Sequence, residues 1–140
     1  MKTVTLLALL VGAAALADEP RLVPAPAVVW KDAPGMPPGV QTSLVFGDPR
    51  VGPFQILMKM PKGTTIPPHW HSATEVLTIL SGEAVVGQGT AVDAAHGTLL
   101  GAGGYAVIPP KAVHWGLART DVVAVRMADG PADSHPATGP

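Results

Sequence analysis

From residue 40 onward, apolar and polar residues alternate with a period of two in short runs that Gly, Pro, Asp and Ser interrupt. The clearest run is residues 54–60. There Phe54, Ile56, Met58 and Met60 fall on one face of an extended chain, and Gln55, Leu57 and Lys59 on the other. The first face reads as core, with both methionines as gap-filling side chains rather than soft metal donors. The same logic predicts strands over residues 28–30, 40–47, 75–80, 84–88, 98–100, 105–108, 112–117 and 122–127. Ser81, Gly82 and Glu83 make a hairpin turn between two of them. About ten short strands at regular spacing, with no helical period of useful length, predict an all-β sandwich or small barrel in one domain. One face of residues 75–80 is unusual. Val76, Thr78 and Leu80 are too apolar for a solvated surface, so an N-terminal arm or a second subunit is expected to cover them. A homodimer is the favoured expectation.

Composition sharpens this outline. A chain of 140 residues has room for one core, and 14% charged residues with 16 glycines and 16 prolines suit turn-linked strands better than a helical bundle. A net charge of −1 supplies no electrostatic footprint for nucleic acid. Residues 1–17 carry Lys2, an apolar run and the Ala15-Leu16-Ala17 pattern, the marks of a cleaved secretory signal. The run is too short to span a bilayer, so a periplasmic or secreted protein is expected, with no membrane attachment after cleavage. Loss of Lys2 leaves eight Lys and Arg against ten Asp and Glu. The chain has no cysteine, so its fold rests on the core and on any bound metal. Residues 18–39 are rich in proline yet carry Trp30 and several valines, which predicts a packed N-terminal arm. The barrel is expected over residues 40–128. Residues 129–140 lack an apolar run and are expected to be a disordered tail, with His135 given no role.

Candidate chemistry concentrates in residues 63–82, GTTIPPHWHSATEVLTILSG. His69 and His71 are two residues apart in an extended run, and Glu75 follows at an even interval, so all three point to one face. His114, in a second apolar segment, can pair across from them. Imidazole and carboxylate donors converging in this way predict one divalent transition metal ion. Without thiolate, the set does not distinguish Fe, Mn, Cu, Ni or Zn. Trp70 and Trp115 adjoin proposed ligands but point the other way, as packing anchors. Ala112 and Gly116 are small and leave room beside His114, which favours an open coordination position. His96 falls in a turn-rich connection and is expected to be an exposed loop residue.

The motif GxxxxxHxHxxxExxxxxxG, formed by Gly63, His69, His71, Glu75 and Gly82, resembles the first motif of the cupin superfamily. Gly103, Pro109 and His114 match its second motif in part; Lys111 stands where the family usually has Gly, and Ala118 where it usually has Asn. The resemblance implies a small double-stranded β-helix, or jelly-roll barrel, with His69, His71, Glu75 and His114 as metal ligands. It also implies a small-molecule substrate or ligand. Similar cupin enzymes act on flavonols, diketones and organic acids, where the equivalent glutamate serves as ligand or as base, so Glu75 is the candidate catalytic residue. Three functions follow as expectations. The first is a metal-dependent, dioxygenase-like enzyme. The second is a non-catalytic metal-binding or sensing module. The PPHWH and ExLxxLxG runs around His69 to Gly82 resemble the ChrR-type cupin domain, although the extra N-terminal domain of such regulators is not expected here. The third, an isomerase or cyclase-like cupin, needs a polar pocket that the apolar faces disfavour.

Overall fold

The computed structural model describes residues 19–137. The expected signal, residues 1–17, lies outside them, as do the last three residues of the tail. The elements are β1 (Lys31–Asp32), β2 (Gln41–Gly47), β3 (Phe54–Met60), β4 (Thr65–Trp70), β5 (Glu75–Ser81), β6 (Ala84–Gln88), β7 (Thr98–Leu100), β8 (Tyr105–Ile108), β9 (His114–Ala118), β10 (Val122–Ala128) and β11 (His135–Pro136). One 3₁₀ turn, Ala25–Ala27, precedes them.

All pairings are antiparallel and form two sheets, one ordered β1-β2-β3-β10-β5-β8 and the other β11-β4-β9-β6-β7. From β3 to β6, and again from β7 to β11, each strand lies in the other sheet from its predecessor. This is the crossing pattern of a double-stranded β-helix. It turns alternate residues of both sheets toward one interior. One end of that interior is a dry core of Val40, Met58, Met60, Leu77, Ile79, Ala84, Ala118, Val122 and Ala124. The methionines therefore pack as core. At the other end, the first residues of β5 and β9 put Glu75 and His114 inside the barrel.

Gly82 and Gly87 are among the glycines that hold tight places. Gly82 has φ +80° in the β5–β6 hairpin, where a Cβ would stand 2.0 Å from the Asp121 carbonyl oxygen. Gly87 lies beneath the Trp115 indole, and a Cβ there would come within 2.0 Å of the ring. Trp115 is accordingly buried on the side of its sheet opposite His114.

Two expectations about the chain ends are corrected. Residues 28–30 form no strand; the two-residue β1 follows them and pairs with Gln41 and Thr42 of β2. The prolines at 24, 26 and 34 leave few consecutive backbone donors, so the arm is held piecemeal. Arg21 donates to the Val45 carbonyl, and Lys59 Nζ stands 4.1 Å from the centre of the Trp30 ring. The second correction concerns the tail. Its residues 130–137 return along the barrel, and β11 pairs His135 with Trp70 and Pro136 with His69. Polar contacts order this segment without any apolar run.

The arm runs along β2, at the opposite edge of its sheet from β5 and β8. Leu80, Tyr105 and Val107 consequently remain 49%, 66% and 58% exposed.

Candidate metal centre

His69 is near the end of β4, His114 begins β9, and the β4–β9 register sets the two directly opposite. His71 is just past β4 and Glu75 begins β5, so a four-residue connection carries the site from one sheet to the other. Their ring centroids are 4.2 Å apart for His69 and His114, 4.7 Å for His69 and His71, and 5.2 Å for His71 and His114. One nitrogen from each histidine falls in a group whose members all lie within 4.8 Å of one another. Glu75 is not in that group. Its Oε2 is 2.9 Å from His71 Nε2 and accepts a 2.6 Å hydrogen bond from Arg126 Nε.

The outer nitrogen of each ring is tied to a backbone carbonyl. His69 Nδ1 is 2.8 Å from the Pro67 oxygen, His114 Nδ1 3.0 Å from the Ala112 oxygen, and His71 Nδ1 2.5 Å from the Asp133 oxygen. A carbonyl only accepts, so each Nδ1 carries the proton and Nε2 is the nitrogen left to bind. This arrangement selects the tautomer a metal needs. His71 Nε2 also lies 3.1 Å from His69 Nε2. Three electron-rich atoms this close require a proton or a cation among them. The donor set therefore fits a divalent metal.

Electrostatics prepares the same state. Burial lowers the His69 imidazole to about 4 and also lowers His114, so both are neutral at pH 7. For Glu75, burial acts upward. The close contact with His71 and the charge of Arg126 outweigh it and hold the carboxyl at about 2. Arg126 also lies 5.4 Å from the Phe54 ring centre. A cavity of about 400 Å³ opens beside His114, lined mostly by apolar residues such as Val86, Leu100, Ile108 and Ala112.

The four residues singled out in the sequence thus meet at one end of the barrel. His96 stands apart in an exposed loop, 2.7 Å from Asp93. Ala112 lines the cavity as its size suggests, whereas Gly116 is set opposite Ile66 in the β4–β9 ladder. Trp70 stacks on His135 at 4.0 Å. Sequence reasoning missed Arg126 and Asp133. Arg126 had a signal: in VVAVRMA it shares parity with Val122 and Ala124, an arginine at an inward position. Asp133 had none, because its contact with His71 is made by its backbone oxygen.

A family model of the cupin domain matches residues 56–129. The chain belongs to the cupin family. No curated protein sequence matches it. Among solved structures, it is similar to a Klebsiella pneumoniae protein with a double-stranded β-helix domain, at 23% identity and TM-score 0.64, covering 86% of this chain and 100% of that one. An RmlC-like cupin from Shewanella frigidimarina is 16% identical with TM-score 0.65, covering 82% and 95%. Salicylate 1,2-dioxygenase from Pseudoaminobacter salicylatoxidans is 19% identical with TM-score 0.57, covering 67% of this cupin and 26% of that chain. At these identities the likenesses establish the fold. The chemistry has to be argued from the site.

Proposed function

We propose that this cupin is a metal-dependent enzyme of dioxygenase type that acts on a small, largely apolar organic molecule. The observation that carries the proposal is the joint arrangement of three Nδ1-anchored histidines and the cavity at His114. His69, His71 and His114 hold one divalent transition metal, with Glu75 as the fourth ligand. Arg126 donates to its Oε2 at 2.6 Å and favours the charged carboxylate, which suits Glu75 as ligand rather than base. Arg126 orients that carboxylate and balances its charge. The bound metal would supply Lewis acidity or redox chemistry, and the apolar cavity would orient the substrate and exclude water.

The test is oxygen uptake by protein loaded separately with Fe, Mn, Cu, Ni or Zn, against diketones, flavonols and oxalate. Metal-dependent uptake that His114→Ala abolishes is the expected result. Stoichiometric metal binding without turnover on any substrate would overturn the enzyme and leave a binding or sensing module. We further infer that the protein is exported and works as a homodimer through the apolar face that displays Tyr105, Val107 and Met127. A mature N-terminus at Asp18 and twice the monomer mass in sedimentation equilibrium are the expected observations. An uncleaved N-terminus or a monomer at micromolar concentration would count against them.

A further inference from the structure

We propose that the C-terminal strap, residues 130–137, positions His71 for metal binding, with Asp133 as the positioning residue. The proposal rests on the metal-site reading above and adds to it a source of control outside the ligand set. The three histidines are anchored unequally. His69 and His114 each use the carbonyl two residues earlier in their own segment, Pro67 and Ala112. His71 has a partner 62 residues away, the Asp133 carbonyl. Its tautomer and ring angle therefore depend on a separate segment staying docked.

The strap is fastened in a manner suited to that task. The Asp133 carboxylate accepts from the Ser72 backbone N–H at 2.9 Å through Oδ1, and Oδ2 lies 2.9 Å from His135 Nε2. Hydrogen bonds to Ser72 and His135 hold that carboxyl well below the usual range. The His135 ring stacks on Trp70 with an interplanar angle of 16°. On either side, Ala132 N–H donates to Pro49 at 2.6 Å and Ala137 N–H to Pro68 at 2.9 Å. One aspartate thus grips the backbone next to His71 with its side chain while its carbonyl holds the imidazole. Strap and metal share His71, so each favours the other: a docked strap raises metal affinity, and bound metal stabilises the docked strap.

Zinc is the probe, measured in full-length protein by competition with a fluorescent chelator. Asp133→Ala is expected to weaken zinc binding about tenfold or more, within the range seen when a ligand's hydrogen-bond partner is lost. Asp133→Asn, whose oxygen still accepts from Ser72, should restore most of that affinity. His135→Ala should produce a smaller loss in the same direction. In hydrogen exchange, zinc should slow the amides of Ala132 and Ala137 in the wild type and leave them unchanged in His71→Ala. Circular dichroism and the melting temperature of the metal-free variants separate a loss of fold from a loss of positioning. Wild-type affinity in folded Asp133→Ala, or strap exchange indifferent to zinc, would overturn the inference and leave the metal centre standing. A wild-type protein that binds no zinc would overturn both.

Discussion

Glu75 is ionised where burial alone would neutralise it, and Arg126 is a principal reason. Both side chains are largely enclosed, at 7% and 17% exposure. Removing one partner of such a pair strands the other charge, which typically costs about 3 kcal/mol or more. Arg126→Met should therefore destabilise the metal-free protein by about 3 kcal/mol in chemical denaturation. A change below about 1 kcal/mol would mean that Glu75 finds compensation elsewhere. The carboxylate and its three histidines were legible in the sequence because strand parity dictates which residues share a face. Arg126 is marked by the same parity but is not a metal-ligand type, so its link to Glu75 shows only once β10 is paired with β5. Asp133 was illegible. Any residue type offers a carbonyl, and only the returning chain brings this one to His71.

At the scale of elements, the turn before β9 decides how His114 enters the site. Lys111 occupies the position where the cupin motif usually has Gly, and it adopts φ 65°. Its N–H donates to the His71 carbonyl at 2.8 Å, tying the turn to the other ligand segment. A left-handed conformation costs an ordinary residue about 1–2 kcal/mol, partly offset by the entropy glycine loses on folding. Lys111→Gly is accordingly expected to stabilise the protein by about 0.5–1 kcal/mol without changing metal content. Destabilisation would show that the lysine side chain contributes contacts that outweigh the strain. Apart from β4, read only as an extended run through its histidines, the strands from β2 to β10 were legible in the spacing of short apolar runs and turns. The ends were not. β1 and β11 are two residues each, too short to carry a period, and their hydrogen bonds depend on neighbours distant in sequence.

For the whole molecule, the division of the barrel into a dry end and a polar end implies acid sensitivity of the metal-free form. His69 is lowered from an ordinary 6.5 to about 4, so the unfolded chain takes up that proton first as pH falls. The stability it contributes is fully present above pH 6.5 and is lost as pH falls toward 4. Glu75, lowered from 4.5 to about 2, adds a second loss between those values. Thermal melting of the metal-free protein should therefore fall continuously from pH 7 to pH 3. A flat profile between pH 7 and pH 4 would show that His69 is not held neutral by burial. Bound metal should raise the melting temperature at pH 7 through linkage. The all-β barrel itself was legible from strand count and turn spacing, since short alternating runs in a glycine- and proline-rich chain admit few other architectures.

The most direct measurement is the metal content of protein purified without added metal, compared for wild type, His71→Ala and His96→Ala. His96 is a suitable control because its side chain is 84% exposed and bonds to Asp93 across its own loop. Near one equivalent of transition metal is expected in the wild type and in His96→Ala, with occupancy falling sharply in His71→Ala. Equal occupancy in both variants, or no metal in the wild type, would contradict a metal centre at His69, His71 and His114.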